Sequence, residues 1–104
     1  MMLIIFRSRL TDAAGDDYQN MSAAIKAHAE TFPGFVDIKS YQADDGERLT
    51  VVRWGDAATL QAWAEDTKHV AAKNLGRAKW YEYYNLEVAE IVRASNFQRD
   101  AATA

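Results

Sequence analysis

The chain has 104 residues, enough for one domain and one hydrophobic core. Hydrophobic residues make up 49% of it, which excludes disorder over most of the length, and a net charge of −3 disfavours binding to a nucleic-acid phosphate backbone. No cysteine occurs, which excludes disulfides, thiolate metal sites, iron–sulfur clusters and cysteine nucleophiles together, and a reducing cytoplasm is the expected location.

Met2-Leu3-Ile4-Ile5-Phe6 is β-branched and aromatic, and predicts a strand. Arg7 and Arg9 cut this run too early for a signal peptide, and nothing approaches the ~18 uninterrupted apolar residues of a membrane helix. Thr11 to Asp17 reads as a loop. Tyr18, Met21, Ile25, His28 and Phe32 then recur at spacings of three and four, the stripe of an amphipathic helix. Pro33-Gly34 ends it. Phe35 to Gln42 alternates as a strand, Asp44-Asp45-Gly46 signals a hairpin, and Glu47 to Trp54 returns as the partner. Asp56 is placed to cap a second helix with Leu60, Trp63 and Ala64 on its apolar face. Glu65-Asp66-Thr67 interrupts that helix, and Asp66 or Thr67 starts a short one running to about Arg77. Gly76 weakens its end. Trp80 to Val92 is the longest strand candidate, and the tail from Ala94 is expected to fray.

The order strand–helix–strand–strand–helix–strand predicts an α+β fold: a ferredoxin-like antiparallel βαββαβ sheet with its helices on one face. Residues 1–93 form this domain and 94–104 a flexible tail. In the last strand both alternating sets carry large apolar groups, Trp80, Tyr84, Leu86 and Val88 in one, Tyr81, Tyr83 and Ile91 in the other. Helices cover only one face, so a second copy of the chain is expected on the other, as a sheet-to-sheet homodimer.

Several segments resemble the antibiotic biosynthesis monooxygenase family, small dimeric α+β-barrel proteins. They are Pro33-Gly34-Phe35, Val52-Arg53-Trp54, Ala62-Trp63, His69-Val70-Ala71-Ala72, Gly76-Arg77, Trp80 to Tyr84, and Val88 to Arg93. The resemblance covers most of the chain, from about Leu3 to Arg93. It implies a pocket between helices and sheet where a small aromatic or quinone-like substrate, as a stabilised carbanion or enolate, itself activates dioxygen without a cofactor. The protein then supplies an apolar cavity, a proton acceptor and donors for developing negative charge.

His69 follows the helix break, where the helix dipole favours a neutral imidazole able to accept a proton; its alternative role is that of a surface or capping histidine. Trp63 matches the family's helix tryptophan, as a wall that stacks on a flat substrate or as ordinary core. Ser8 stands where relatives carry a polar residue, several of them Asn, and with His69 and Trp63 completes the catalytic candidates. Arg7, His28, Trp54 and Tyr81 are the substrate-binding candidates. A core role competes for His28, and a dimer interface for Tyr81. Arg53 and Arg77 could hold an anionic group, although surface ion pairing is the default for isolated arginines.

No metal is expected: His28 and His69 lack close pairing and a supporting carboxylate cluster. No Gly-rich loop offers a nucleotide a seat. Heme-degrading relatives pair the helix tryptophan with an Asn on strand one and an iron-ligating His, positions held here by Ser8 and Lys73, so heme degradation is not expected. A non-catalytic dimer that binds a hydrophobic ligand, or acts in a stress response, is the alternative function, and heme binding, with or without degradation, is the second alternative.

Overall fold

The computed structural model describes residues 1–99. Four strands, β1 (Met2–Leu10), β2 (Phe35–Gln42), β3 (Arg48–Trp54) and β4 (Tyr81–Glu90), form one antiparallel sheet in the order β2-β3-β1-β4. Helices α1 (Asp16–Ala29), α2 (Ala57–Ala64) and α3 (Thr67–Leu75), with one π-helical turn over Gly76–Trp80, complete it. This is the ferredoxin-like α+β arrangement expected from the element order.

The first strand is longer than its apolar run. It continues to Leu10 because alternation continues: Ser8 turns inward while Arg7 and Arg9 point outward, ion-paired with Glu47 and Asp45. α1 starts at Asp16 rather than Tyr18, since Asp16 and Asp17 both suit the positive end of a helix dipole. The β2–β3 hairpin closes through Gly46 at φ +90°, with Ala43 N–H donating to the Glu47 carbonyl at 2.8 Å. Asp56 caps α2 by accepting from the Thr59 amide at 2.8 Å, and Asp66 caps α3 by accepting from the His69 amide at 3.1 Å. Residues 91–99 carry no regular secondary structure, and the last five positions of the expected tail lie outside the described residues.

Two features depart from the expected pattern. The last helix does not run to Arg77; it widens into the π turn, whose Gly76 leaves room that a Cβ would lose to the Tyr81 ring. Trp80 therefore closes that turn, buried, instead of opening the strand. Directly after it, a bulge shifts the β1–β4 register from Arg9↔Tyr83 to Leu10↔Tyr81. The extra residue puts Tyr81 on the same face as Tyr84, and both rings pack on Phe6 at 5.5 and 5.3 Å.

The core sits where the Trp54 end of the sheet meets α1 and α2. Trp54, wholly buried, packs with Ala29 and Trp63, and Ile25, Phe32, Phe35, Val52 and Leu60 close around them. Its indole N–H donates to Thr59 Oγ1 at 3.0 Å, which satisfies the one polar atom that burial would otherwise strand.

Candidate functional site

Toward the other end of the sheet the helices stand off, leaving a cavity of about 780 Å³. Its floor is the inward set of strand residues, Met2, Ile4, Phe6 and Ser8 on β1 and Arg48, Thr50, Val52 and Trp54 on β3. α1, α3 and the start of β4 form the walls, through Tyr18, Ile25, His69, Trp80, Tyr81 and Tyr84 among others.

At the Trp54 end three flat rings stack. His69 lies 4.4 Å from Trp63 at 15°, and Trp63 lies 5.9 Å from Trp54 at 22°. The break between α2 and α3 turns the chain so that His69 folds back over Trp63, and its Nδ1–H donates to the Trp63 carbonyl at 3.2 Å. That bond fixes the tautomer, and Nε2 makes no hydrogen bond with any described residue. Burial, followed by the nearby Lys73 charge, pushes the His69 pKa down, outweighing the Trp63 carbonyl and Asp66, which raise it. The imidazole is thus neutral near pH 7, with its Nε2 lone pair unengaged, in a residue that lines the cavity.

At the opposite end lie Ser8, 3% exposed, and Tyr18, Trp80 and Tyr81. Asp17 ties this end together, accepting from Lys79 Nζ at 2.6 Å and Trp80 Nε1 at 3.2 Å. Those two bonds, with that of the Tyr18 amide, hold its pKa at about 2 against the usual 3.8. Burial raises the Tyr81 pKa, so its phenol stays protonated and available as a donor.

Of the residues singled out from sequence, His69, Trp63, Ser8, Trp54 and Tyr81 all line this one cavity. Trp54 does so from beneath Trp63, as backing. Two do not line it. Arg7 points to the outer face of the sheet, half exposed and donating to Glu47 at 2.8 Å, because it alternates with Ser8. His28 lies between α1 and α3, where Nε2 sits 3.0 Å from the Asp66 carboxylate and its ring packs edge-on against Phe32. Nor do His69 and Ser8 meet: the floor between Arg48, opposite Ser8, and Trp54 spans about 20 Å at strand rise. Arg48 itself drew no attention in the sequence, although alternation with Thr50, Val52 and Trp54 placed it on the inner face. Among the described residues no group of three or more His, Asp or Glu side chains could hold a metal ion, and no helix is long and apolar enough to cross a membrane.

Solved structures with this architecture include an antibiotic biosynthesis monooxygenase at TM-score 0.75 and 14% identity, covering 89% of this chain and 100% of the other. The fold is that of the antibiotic biosynthesis monooxygenases. SnoaB of Streptomyces nogalater, a cofactor-independent oxygenase, shares it at TM-score 0.74 and 14% identity, over 89% of this chain and 94% of SnoaB. In sequence the chain is 38% identical over 68 residues to the uncharacterized protein YqjZ of Bacillus subtilis (strain 168). That match spans 65% of this chain and 60% of YqjZ. No protein-family model matches the chain.

Proposed function

We propose that this protein is a cofactor-independent monooxygenase of the cytoplasm, oxidising a small aromatic or quinone-like compound in the cavity between helices and sheet. The observation that carries the reading is His69, neutral, anchored through Nδ1 and open at Nε2 beside a flat stacking wall. For an anthrone-type methylene, Nε2 accepts one proton and leaves a delocalised carbanion. This passes one electron to dioxygen, and the radical pair recombines to form a C–O bond. His69-H⁺ protonates the peroxide so formed. The neutral imidazole then takes the second C–H proton as the O–O bond breaks and the outer oxygen leaves as hydroxide, which that proton converts to water. The methylene becomes a carbonyl, a four-electron oxidation matched by full reduction of one dioxygen. An apolar cavity favours this route because charge stays on the substrate ring system rather than on water.

Oxygen uptake with a panel of anthrones and hydroquinones tests the reading. One dioxygen consumed per anthrone, lost in His69→Ala at unchanged melting temperature, is the expected result. Turnover that survives in folded His69→Ala, or no uptake with any member of the panel, refutes it. The second reading, a hydrophobic-ligand-binding dimer without turnover, is favoured by one feature: the polar groups of the cavity do not converge, with Ser8 far along the floor from His69.

The active assembly is proposed to be a homodimer through the outer sheet face. There Leu3, Ile5, Leu49 and Val51 lie side by side on β1 and β3, beside Tyr41, which is 50% exposed.

A further inference from the structure

The end of the cavity remote from His69 carries an arrangement that the oxidation step does not use. Arg48 and Ser8 are direct partners across β1 and β3, both on the inner face. Side chains so paired start about 5 Å apart, close enough for both to reach one small group. Ser8 is 3% exposed as a residue and lines the cavity, and its hydroxyl makes no hydrogen bond with any described residue, yet it is not among atoms sealed away without a partner. A hydroxyl that lines the cavity without a protein partner is available to donate to a ligand oxygen.

The charge pattern says which oxygen. The arginines of the outer face are neutralised: Arg7 by Glu47, Arg9 by Asp45 and Arg53 by Asp37. Arg48, half-buried, has no carboxylate partner among the described residues, and its guanidinium lies 5.9 Å above the Tyr18 ring. Among the described residues no Asp or Glu lines the cavity, in a chain whose net charge is −3. Acidic groups are thus absent where a cation with five N–H donors faces an apolar space.

We propose that Arg48 and Ser8 form a carboxylate subsite, so that the ligand is an elongated, flat aromatic acid. Its carboxylate lies on Arg48 and Ser8, and its rings extend along Phe6 toward the Trp63–His69 stack. The floor, about 20 Å from Arg48 to Trp54, accommodates several fused rings. The inference rests on reading the cavity as an aromatic-binding site and adds the anchor that fixes which end of the molecule reaches His69. It makes Arg48 a specificity-determining residue, since a neutral amide offers the guanidinium one uncharged acceptor in place of the two charged oxygens of a carboxylate.

The test is a titration of the full chain with anthracene-2-carboxylate and its neutral counterpart, anthracene-2-carboxamide, read by quenching of tryptophan fluorescence. The carboxylate is expected to bind at least about tenfold more tightly, the advantage of a charge-assisted pair over a neutral one. In Arg48→Gln that preference falls to about onefold while carboxamide binding is unchanged, which also shows the cavity intact. Arg48→Lys keeps the charge without the fork and retains part of the preference. Equal binding of the two probes to the native protein overturns the proposal, as does failure of the carboxylate to bind. A preference that survives Arg48→Gln and vanishes in Lys73→Gln places the anion beside His69 and overturns it too. Turnover is not read here, so a carboxylate preference without oxygen uptake refutes the oxygenase reading alone, and oxygen uptake without the preference refutes the subsite alone.

Discussion

Replacing Trp63 with Ala is the most direct test of the packing that supports the site. The ring is 7% exposed, stacked between Trp54 and His69 and touched edge-on by Phe32 at 5.0 Å. Burying an indole of roughly 200 Å² contributes about 5 kcal/mol. The void would open into the existing cavity, which solvent can fill, so the cost falls toward the lower part of the range for Trp→Ala, about 3 kcal/mol. For a domain of this size that corresponds to a drop of roughly 12–24 °C in melting temperature. Thermal and guanidinium unfolding followed by circular dichroism measure it, with Trp63→Phe as the milder variant should the alanine form be too unstable to fold. A loss under about 1 kcal/mol in Trp63→Ala would mean that the ring is not clamped as described, and the stack would lose its meaning.

Gly34→Ala should destabilise by about 3 kcal/mol or more, because φ is +90° and a Cβ would strike Thr59 Oγ1 and the Trp54 indole; Gly15→Ala, with open space around it, is the control and should change denaturation little. The Asp17 carboxylate, held at about 2 against 3.8, stabilises the fold above about pH 4, and that contribution is lost as pH falls from there through about 2. The stability gap between native protein and Asp17→Asn should therefore be constant above pH 4 and shrink toward pH 2 in urea titrations; a gap independent of pH refutes the assignment. Val51→Asp, central to the outer face, should shift a micromolar dimer toward monomer in light scattering, and a native protein that is already monomeric refutes the assembly.

Periodicity carried most of the fold. The α1 stripe, the Asp44-Asp45-Gly46 hairpin and the caps at Asp56 and Asp66 are local events, set by backbone chemistry within a few residues, and each is legible in the sequence. Placement across strands was less so. The bulge after Trp80 moves Tyr81 to the cavity side, and no residue in Trp80-Tyr81-Glu82-Tyr83-Tyr84 marks where an extra position will be absorbed. Alternation did distinguish Ser8 from Arg7, but only once β1 was known to run past Phe6. His28 illustrates a different limit. A histidine on an apolar stripe is bonded to whatever carboxylate the tertiary fold brings near, and Asp66 is 38 residues away.

The break between α2 and α3 explains why the candidate base is oriented at all. The last carbonyls of a helix have no intrahelical donor, so ending α2 at Ala64 leaves the Trp63 carbonyl open to other groups. The Asp66 amide takes one of its lone-pair directions at 3.1 Å and His69 Nδ1–H the other at 3.2 Å. Asp66, in turn, accepts from the His69 amide and binds His28, which fixes the start of α3 against α1. Had the helix continued unbroken, the Trp63 carbonyl would have bonded the amide four residues on, and His69 would have lost the acceptor that sets its tautomer. The interruption that costs α2 its length therefore supplies the group that engages Nδ1 and leaves Nε2 as the unprotonated ring nitrogen of a histidine that lines the cavity.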